Sequence, residues 1–170
     1  MPDDWIRQWG DPTLRIVAAP VASVDDVLRH QVTRMQRRLV AAGGAGLAAT
    51  QVGLLRRVFV FRVERDAEVD VLVNPHVVRC STETAVFVEG CLSFSDVTVA
   101  VERAIAVRVD GQDLDGRWRT HDVDGFAASL LQHEIDHLDG ILTLDRATSE
   151  ERRRAIRLLM MHRAGRAAAA

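Results

Sequence analysis

The stretch His133-Glu134-Ile135-Asp136-His137 constrains this chain more than any other. On a helix, residues four apart stack on one face, so His133 and His137 can aim two imidazoles at one metal ion. Glu134, one step round, can handle a proton without being a ligand. That is the hydrolytic reading of an H-E-x-x-H helix. Ala128-Ser129-Leu130-Leu131-Gln132 before it and Leu138 after it give the helix an apolar flank, which places it inside the molecule. Such a histidine pair also arises by chance on helices that bind nothing, so other residues must supply the rest of a site.

The chain of 170 residues fits one domain with enough length to bury a sizeable core. A net charge of −2 gives no global attraction to DNA or to an anionic membrane. No apolar run reaches the roughly 18 to 20 residues of a membrane span. Met1-Pro2-Asp3-Asp4 is acidic and lacks a signal-peptide pattern, so a cytoplasmic location is expected. All 22 basic residues are Arg, a feature that carries no functional reading. The two cysteines, Cys80 and Cys91, are expected to be reduced, leaving a thiol free for a metal.

Apolar residues at Val24, Val27, Leu28, Val32, Met35 and Leu39 predict a helix over Ser23 to Ala42, capped by Ser23 and ended by Gly43-Gly44. Val58 to Phe61 and Val71 to Val73 read as strands, the second broken by Asn74-Pro75. His76 to Val88, Val97 to Val101 and Ala104 to Val109 read as further strands, with turn signals at Asp110-Gly111 and Asp115-Gly116. The histidine helix spans about Gly125 to Leu138 and stops at Asp139-Gly140. A last helix spans about Thr148 to Ala164, before a frayed Ala tail. This order predicts an α+β fold, with antiparallel strands packed around a central histidine helix and helices at both ends.

A catalytic divalent ion usually keeps three protein ligands and an open position. Glu89-Gly90-Cys91-Leu92-Ser93, closing a strand-like run, offers a cysteine on a turn where Gly90 would let a backbone approach closely. Taken singly, Cys91 reads more readily as a small buried residue; beside the H-E-x-x-H helix the ligand reading takes over. Gly44-Ala45-Gly46-Leu47-Ala48-Ala49-Thr50-Gln51 reads as a Gly-rich connector that is no phosphate loop, with one amide, Gln51, able to donate hydrogen bonds.

These three segments, in order and spacing, resemble the three motifs of the peptide deformylase family. Gly10-Asp11-Pro12-Thr13-Leu14-Arg15 and Val73-Asn74-Pro75 look familial too, so the resemblance covers roughly residues 5 to 160. It implies a metal-dependent hydrolase that removes the formyl group from N-formylmethionine at the start of new polypeptides. Cys91, His133 and His137 would hold one divalent ion, ordinarily Fe²⁺, with Zn²⁺ or Ni²⁺ as substitutes. Glu134 would act as general base and then acid. The Gln51 amide and the Leu92 N–H would stabilise the oxyanion. The Met side chain would enter a pocket made by Gly46, Phe87, Phe126, Ser129 and Leu130. The peptide backbone would lie beside Ala45-Gly46 and the strand running into Glu89 and Gly90, like an added β-strand.

Two positions depart from the family pattern. Ser95 stands where Pro is common, and Thr98 where an Arg near the substrate is common; Arg103 fits the pattern. These departures keep open a metallohydrolase with another N-acyl substrate. A non-catalytic relative that binds nascent chains or ribosomes would have no evident need for Gln51, Cys91, His133, Glu134 and His137 together. From Asp145 onward seven Arg face three acidic residues, a net +4. That reads either as a solvated helix face or as a surface that docks on the ribosome. The sequence specifies no oligomeric state.

Overall fold

A β-strand whose two faces are both covered loses the apolar–polar alternation, and Val58-Phe59-Val60-Phe61 is such a strand. The computed structural model describes residues 6–94 and 97–168, with side chains as far as 164. Its helices are α1 (Asp26–Ala41), α2 (Gly125–Leu138), α3 (Thr143–Arg146) and α4 (Ser149–Ala168). Its strands are β1 (Gly46–Ala48), β2 (Val58–Phe61), β3 (Asp70–Cys80), β4 (Thr84–Glu89), β5 (Val99–Ala104), β6 (Ala106–Gln112) and β7 (Trp118–Asp124). An antiparallel sheet runs β1-β2-β3-β6-β7, and β4 pairs with β5 in a second sheet. The α+β class is as expected from the order of elements.

Side-chain direction along β2 and β3 builds two cores at once. Val58, Val60, Val71 and Val73 meet Leu28, Val32, Met35 and Leu39 of α1. Phe59, Phe61 and Leu72 point the other way, onto Ala128, Leu130, Leu131, Ile135 and Leu138 of α2. Each such aliphatic side chain contributes about 1.5–3 kcal/mol on burial. A third cluster joins Phe94, Val97, Val99 and Val101 to Leu142, Leu144, Ala155 and Leu159, seating α3 and α4 behind β5. The histidine helix therefore packs on the large sheet and also touches β5.

Several boundaries differ from the sequence reading. The cap of α1 is Asp25, whose carboxylate accepts the Leu28 N–H at 2.7 Å, and Ser23 lies outside the helix. A carboxylate at this position also meets the positive end of the helix dipole. Asn74-Pro75 does not break β3. The strand runs through it with a register shift between Val73 and His76, and Asn74 takes a φ of 52°. The Asn74 amide offsets the strain of that conformation by exchanging two hydrogen bonds of 2.8 Å with the Val21 backbone. Asp110-Gly111 is strand, not turn. The turn expected at Asp115-Gly116 does join β6 to β7, and there the Asp113 carboxylate accepts the N–H groups of Asp115 and Arg117, both at 2.9 Å. Strand β7, short helix α3 and strand β1 were not read from the sequence. The run expected over His76 to Val88 divides into β3 and β4. Helix α4 continues to Ala168, past the expected end at Ala164. Ser95 lies outside the described residues.

Candidate metal centre and peptide cleft

Helix α2 is buried almost all round, including the five residues His133 to His137. One turn of α2 sets the two imidazoles with ring centroids 4.9 Å apart. The loop after β4 brings Cys91 beneath them, its Sγ 3.2 Å from His137 Nε2. Among the described residues Cys91, His133 and His137 form the group able to hold a metal, their ligand atoms all within 4.8 Å of one another. The sequence placed these residues about 40 positions apart, and the β4–β5 hairpin and α2 bring them together.

Behind the ligands lies a charged network. His133 Nδ1 is 2.8 Å from Glu89 Oε2, which leaves Nε2 facing the site. Glu89 also accepts the Ser129 hydroxyl at 2.8 Å and two Arg103 bonds of 2.9 and 3.1 Å. Arg103 reaches on to Asp136, which Arg146 grips at 2.6 and 3.1 Å. Burial would raise the Glu89 carboxyl, but His133 and Arg103 hold it down at about 2. Burial, then the neighbouring His133, keeps His137 well below its ordinary pKa, in the neutral form that ligates metals. Burial opposes a positive charge on His133, yet Cys91, Glu89 and Glu134 together raise it. A field that favours a cation at this spot, beside a sulfur and two imidazoles, fits a divalent ion.

Glu134 is nearly inaccessible, at 2% exposure. Burial lifts its carboxyl to about 7, with His133 opposing the rise and Glu89 adding to it. Its Oε2 has no hydrogen-bond partner among the described residues. Its other oxygen sits over Gly46, where an added Cβ would lie 2.2 Å away. Gln51 is oriented by the Ala48 N–H, which donates to Oε1 at 2.8 Å. Its Nε2 then faces Ser93 Oγ at 3.1 Å and Cys91 Sγ at 3.6 Å.

A cleft of about 570 Å³ opens over this centre. Ala45, Gly46, Phe87, Gly90, Phe126 and Leu130 line it, as do Gln51, Leu92, His133 and Glu134. Glu89 and Ser129 border it too, but their side-chain oxygens are engaged with each other and with His133 and Arg103. Both therefore act on the ligand shell more than on the cleft surface. The two cleft glycines Gly90 and Gly46 differ in their surroundings. A Cβ at Gly90 would meet nothing within 4 Å, whereas Gly46 has no room for one. Val88, Val97 and Thr98 also line the cleft; of these, only Thr98 stands out in the sequence. Asp136 as the outer partner of Arg103, and Arg146 as a second cation on Asp136, were missed. The pattern H-E-x-x-H is silent on what its middle residues face, so no local signal pointed to them.

A mononuclear metal site with a buried carboxylate beside it, at the floor of an apolar cleft, defines a metallohydrolase. A family model described as "Polypeptide deformylase" matches residues 3–153. A peptide deformylase of Thermotoga sp. (strain RQ2) is 40% identical over 147 residues, covering 86% of this chain and 88% of its own. One from Treponema pallidum (strain Nichols) is 43% identical over 148 residues, 87% and 90% of the two chains. The crystal structure of a peptide deformylase from Legionella pneumophila superposes with a TM-score of 0.90 at 35% identity, covering 95% of this chain and 96% of that one. The chain belongs to the peptide deformylase family.

Proposed function

We propose that this chain hydrolyses the formamide at the N-terminus of formylmethionyl peptides, releasing formate and a free α-amino group. The observation that carries the reading is the buried Glu134, with one oxygen unpartnered, beside the Cys91, His133 and His137 cluster at the floor of a peptide-sized cleft. Those three side chains would hold the ion. When bound, a divalent ion supplies Lewis acidity that makes water nucleophilic near neutral pH. The donor set of one sulfur and two imidazoles suits Fe²⁺, which we take as the resident ion, with Zn²⁺ or Ni²⁺ as substitutes.

The chain's own groups account for the proton traffic. Glu134 accepts the proton of the attacking water and returns it to the departing amine as the C–N bond breaks. A buried carboxyl with one oxygen unpartnered is placed to do both. Gln51 Nε2, set by the Ala48 N–H, and the Leu92 N–H are the donors for the oxyanion. The substrate backbone has an edge to lie on. Arg62 N–H donates to Ala45 O at 2.8 Å, so in the antiparallel alternation Gly46, opposite Phe61, turns its peptide groups away from β2. Across the cleft, among the described residues, β4 pairs only with β5, which leaves its other edge open. A peptide between β1 and β4 would complete both edges. Phe87, Phe126 and Leu130 supply apolar surface for the methionine side chain.

The work of such an enzyme lies in the cytoplasm, on chains leaving the ribosome, and the basic face of α4 is the surface we assign to ribosome docking. The test of the activity is formate release from formyl-Met-Ala-Ser by anaerobically purified protein loaded with Fe²⁺ or Ni²⁺. Release that disappears in Glu134→Ala, with the metal retained, supports the reading. A folded, metal-loaded protein that releases no formate refutes it.

A further inference from the structure

One wall of the cleft is held by residues that do not line it. The segment 97–100 buries Val97 and Val99 among Phe94, Ala155 and Leu159, leaving Thr98 exposed and bordering the cleft. Two of its backbone groups face α4. Arg154 Nη2 donates to Thr98 O at 2.6 Å, and the Ala100 N–H donates to Glu151 Oε1 at 2.9 Å. Arg154 and Glu151 are themselves joined by bonds of 2.8 and 2.6 Å. In extended chain, residues i and i+2 turn their peptide groups to one side. These two groups therefore belong to the edge of β5 that looks away from β4, and a side-chain pair from α4 stands where a neighbouring strand would.

The place of Thr98 gives this contact a consequence. The reacting end of the cleft is its buried floor, at His133 and Glu134. Its exposed rim carries Val88, at 72% exposure, and Thr98. A chain whose formyl group sits on the floor leaves over that rim. Among the described lining residues there is no Arg or Lys to grip it, so the position of the rim backbone decides the fit. We propose that Glu151 and Arg154 are positioning residues, which fix the Thr98 wall and thereby set the affinity for the residues that follow the formylated methionine. The proposal rests on the deformylase reading. The pair also keeps its charge: the Arg154 hydrogen bond, then the Ala100 N–H, hold the Glu151 carboxyl at about 2, so it stays ionised at any working pH.

The test compares two substrates on the metal-loaded full chain, formyl-Met-Ala-Ser and formylmethionine amide, which ends before the rim. In Arg154→Ala and Glu151→Ala, KM for the tripeptide should rise about three- to fivefold, the scale of a solvent-exposed ion pair. The kcat values and both constants for formylmethionine amide should stay unchanged, the sign of lost ground-state binding alone. Amide exchange gives a second readout. The Ala100 N–H should exchange faster in Glu151→Ala and keep its protection in Glu151→Gln, which retains the acceptor oxygen. An unchanged KM for the tripeptide, or an equal change for both substrates, would overturn the proposal while leaving the activity standing. A wild-type protein inactive on both substrates would instead overturn the deformylase reading and this inference with it.

Discussion

Replacing Gly46 by Ala tests whether the position of Glu134 is what makes the site reactive. An ideal Cβ at Gly46 falls 2.2 Å from Glu134 Oε1, 2.6 Å from its Cδ and 2.8 Å from its Cγ. An ordinary carbon–oxygen contact is longer by about 1 Å, so the carboxylate must retreat by roughly that much. Glu134 is 2% exposed, and the buried strand and helix around it leave little space for the move. Overpacking of this kind costs about 1–3 kcal/mol of stability. A misplacement of about 1 Å in a reacting group costs on the order of 10²-fold in rate. The ligands are spared, because His133 is held from behind by Glu89 and Cys91 comes from another loop. Gly46→Ala should therefore keep one equivalent of metal, lose about 1–3 kcal/mol in urea denaturation and lose about two decades in kcat for formyl-Met-Ala-Ser. Gly90→Ala is the matched control: its Cβ meets nothing within 4 Å, so stability should change by less than about 0.5 kcal/mol. Metal-loaded Gly46→Ala with kcat within about threefold of wild type would refute the reasoning, since it would show that Glu134 tolerates displacement.

Other perturbations follow from the same network. Arg103→Met leaves the buried carboxylates Glu89 and Asp136 without their shared partner, and denaturant titration should show a loss of about 3–5 kcal/mol. Glu89→Gln keeps the shape but weakens the acceptor for His133 Nδ1; competition with a chelator should reveal metal affinity lower by about 10- to 100-fold. Stripping the ion altogether should lower the Tm, and returning it at a hundredfold excess over its Kd should restore about 2.7 kcal/mol. For Glu151 the folded pKa of about 2 lies below its ordinary value of 4.5. Its contribution is complete above about pH 4.5 and disappears as pH falls toward 2. The stability difference between wild type and Glu151→Gln should follow that course and stay under about 1 kcal/mol, because solvent screens the pair. A difference that grows on acidification would contradict the assignment.

How much of this was legible in the sequence depended on whether the signal was local. The bounds of α2 were readable because an apolar run, a helical histidine pair and the Asp139-Gly140 stop sit within 20 residues. Strand β2 was readable from its unbroken apolar run. The cap of α1 was misread because Ser23 and Asp25 are both good caps by type, and only backbone geometry selects Asp25. Asn74-Pro75 looked like a strand break, since nothing in the sequence shows that Val21, 53 residues earlier, would satisfy the Asn74 amide within a bulged strand. Strand β1 read as a loop because three residues carry no periodicity, and its conformation is imposed by pairing with β2.

The sequence by itself determined the chemistry. Cys91, His133, Glu134, His137 and Gln51 are residue types whose reactivity belongs to their side chains, and their motifs are local enough to read in order. Only the tertiary structure decided how those groups are held. It turned Glu89 toward His133, set the Ser129 hydroxyl to donate to Glu89, and placed Arg103 and Asp136 behind them. Between Gly46 and Gly90, it left room for a side chain at Gly90 and none at Gly46. It also carried Arg154 to the wall at Thr98. The physical reason is range: donor type and helical spacing are written within a few residues, whereas contacts such as Arg103–Glu89 and Arg154–Thr98 join segments 14 and 56 positions apart, which nothing short of the packed fold brings together.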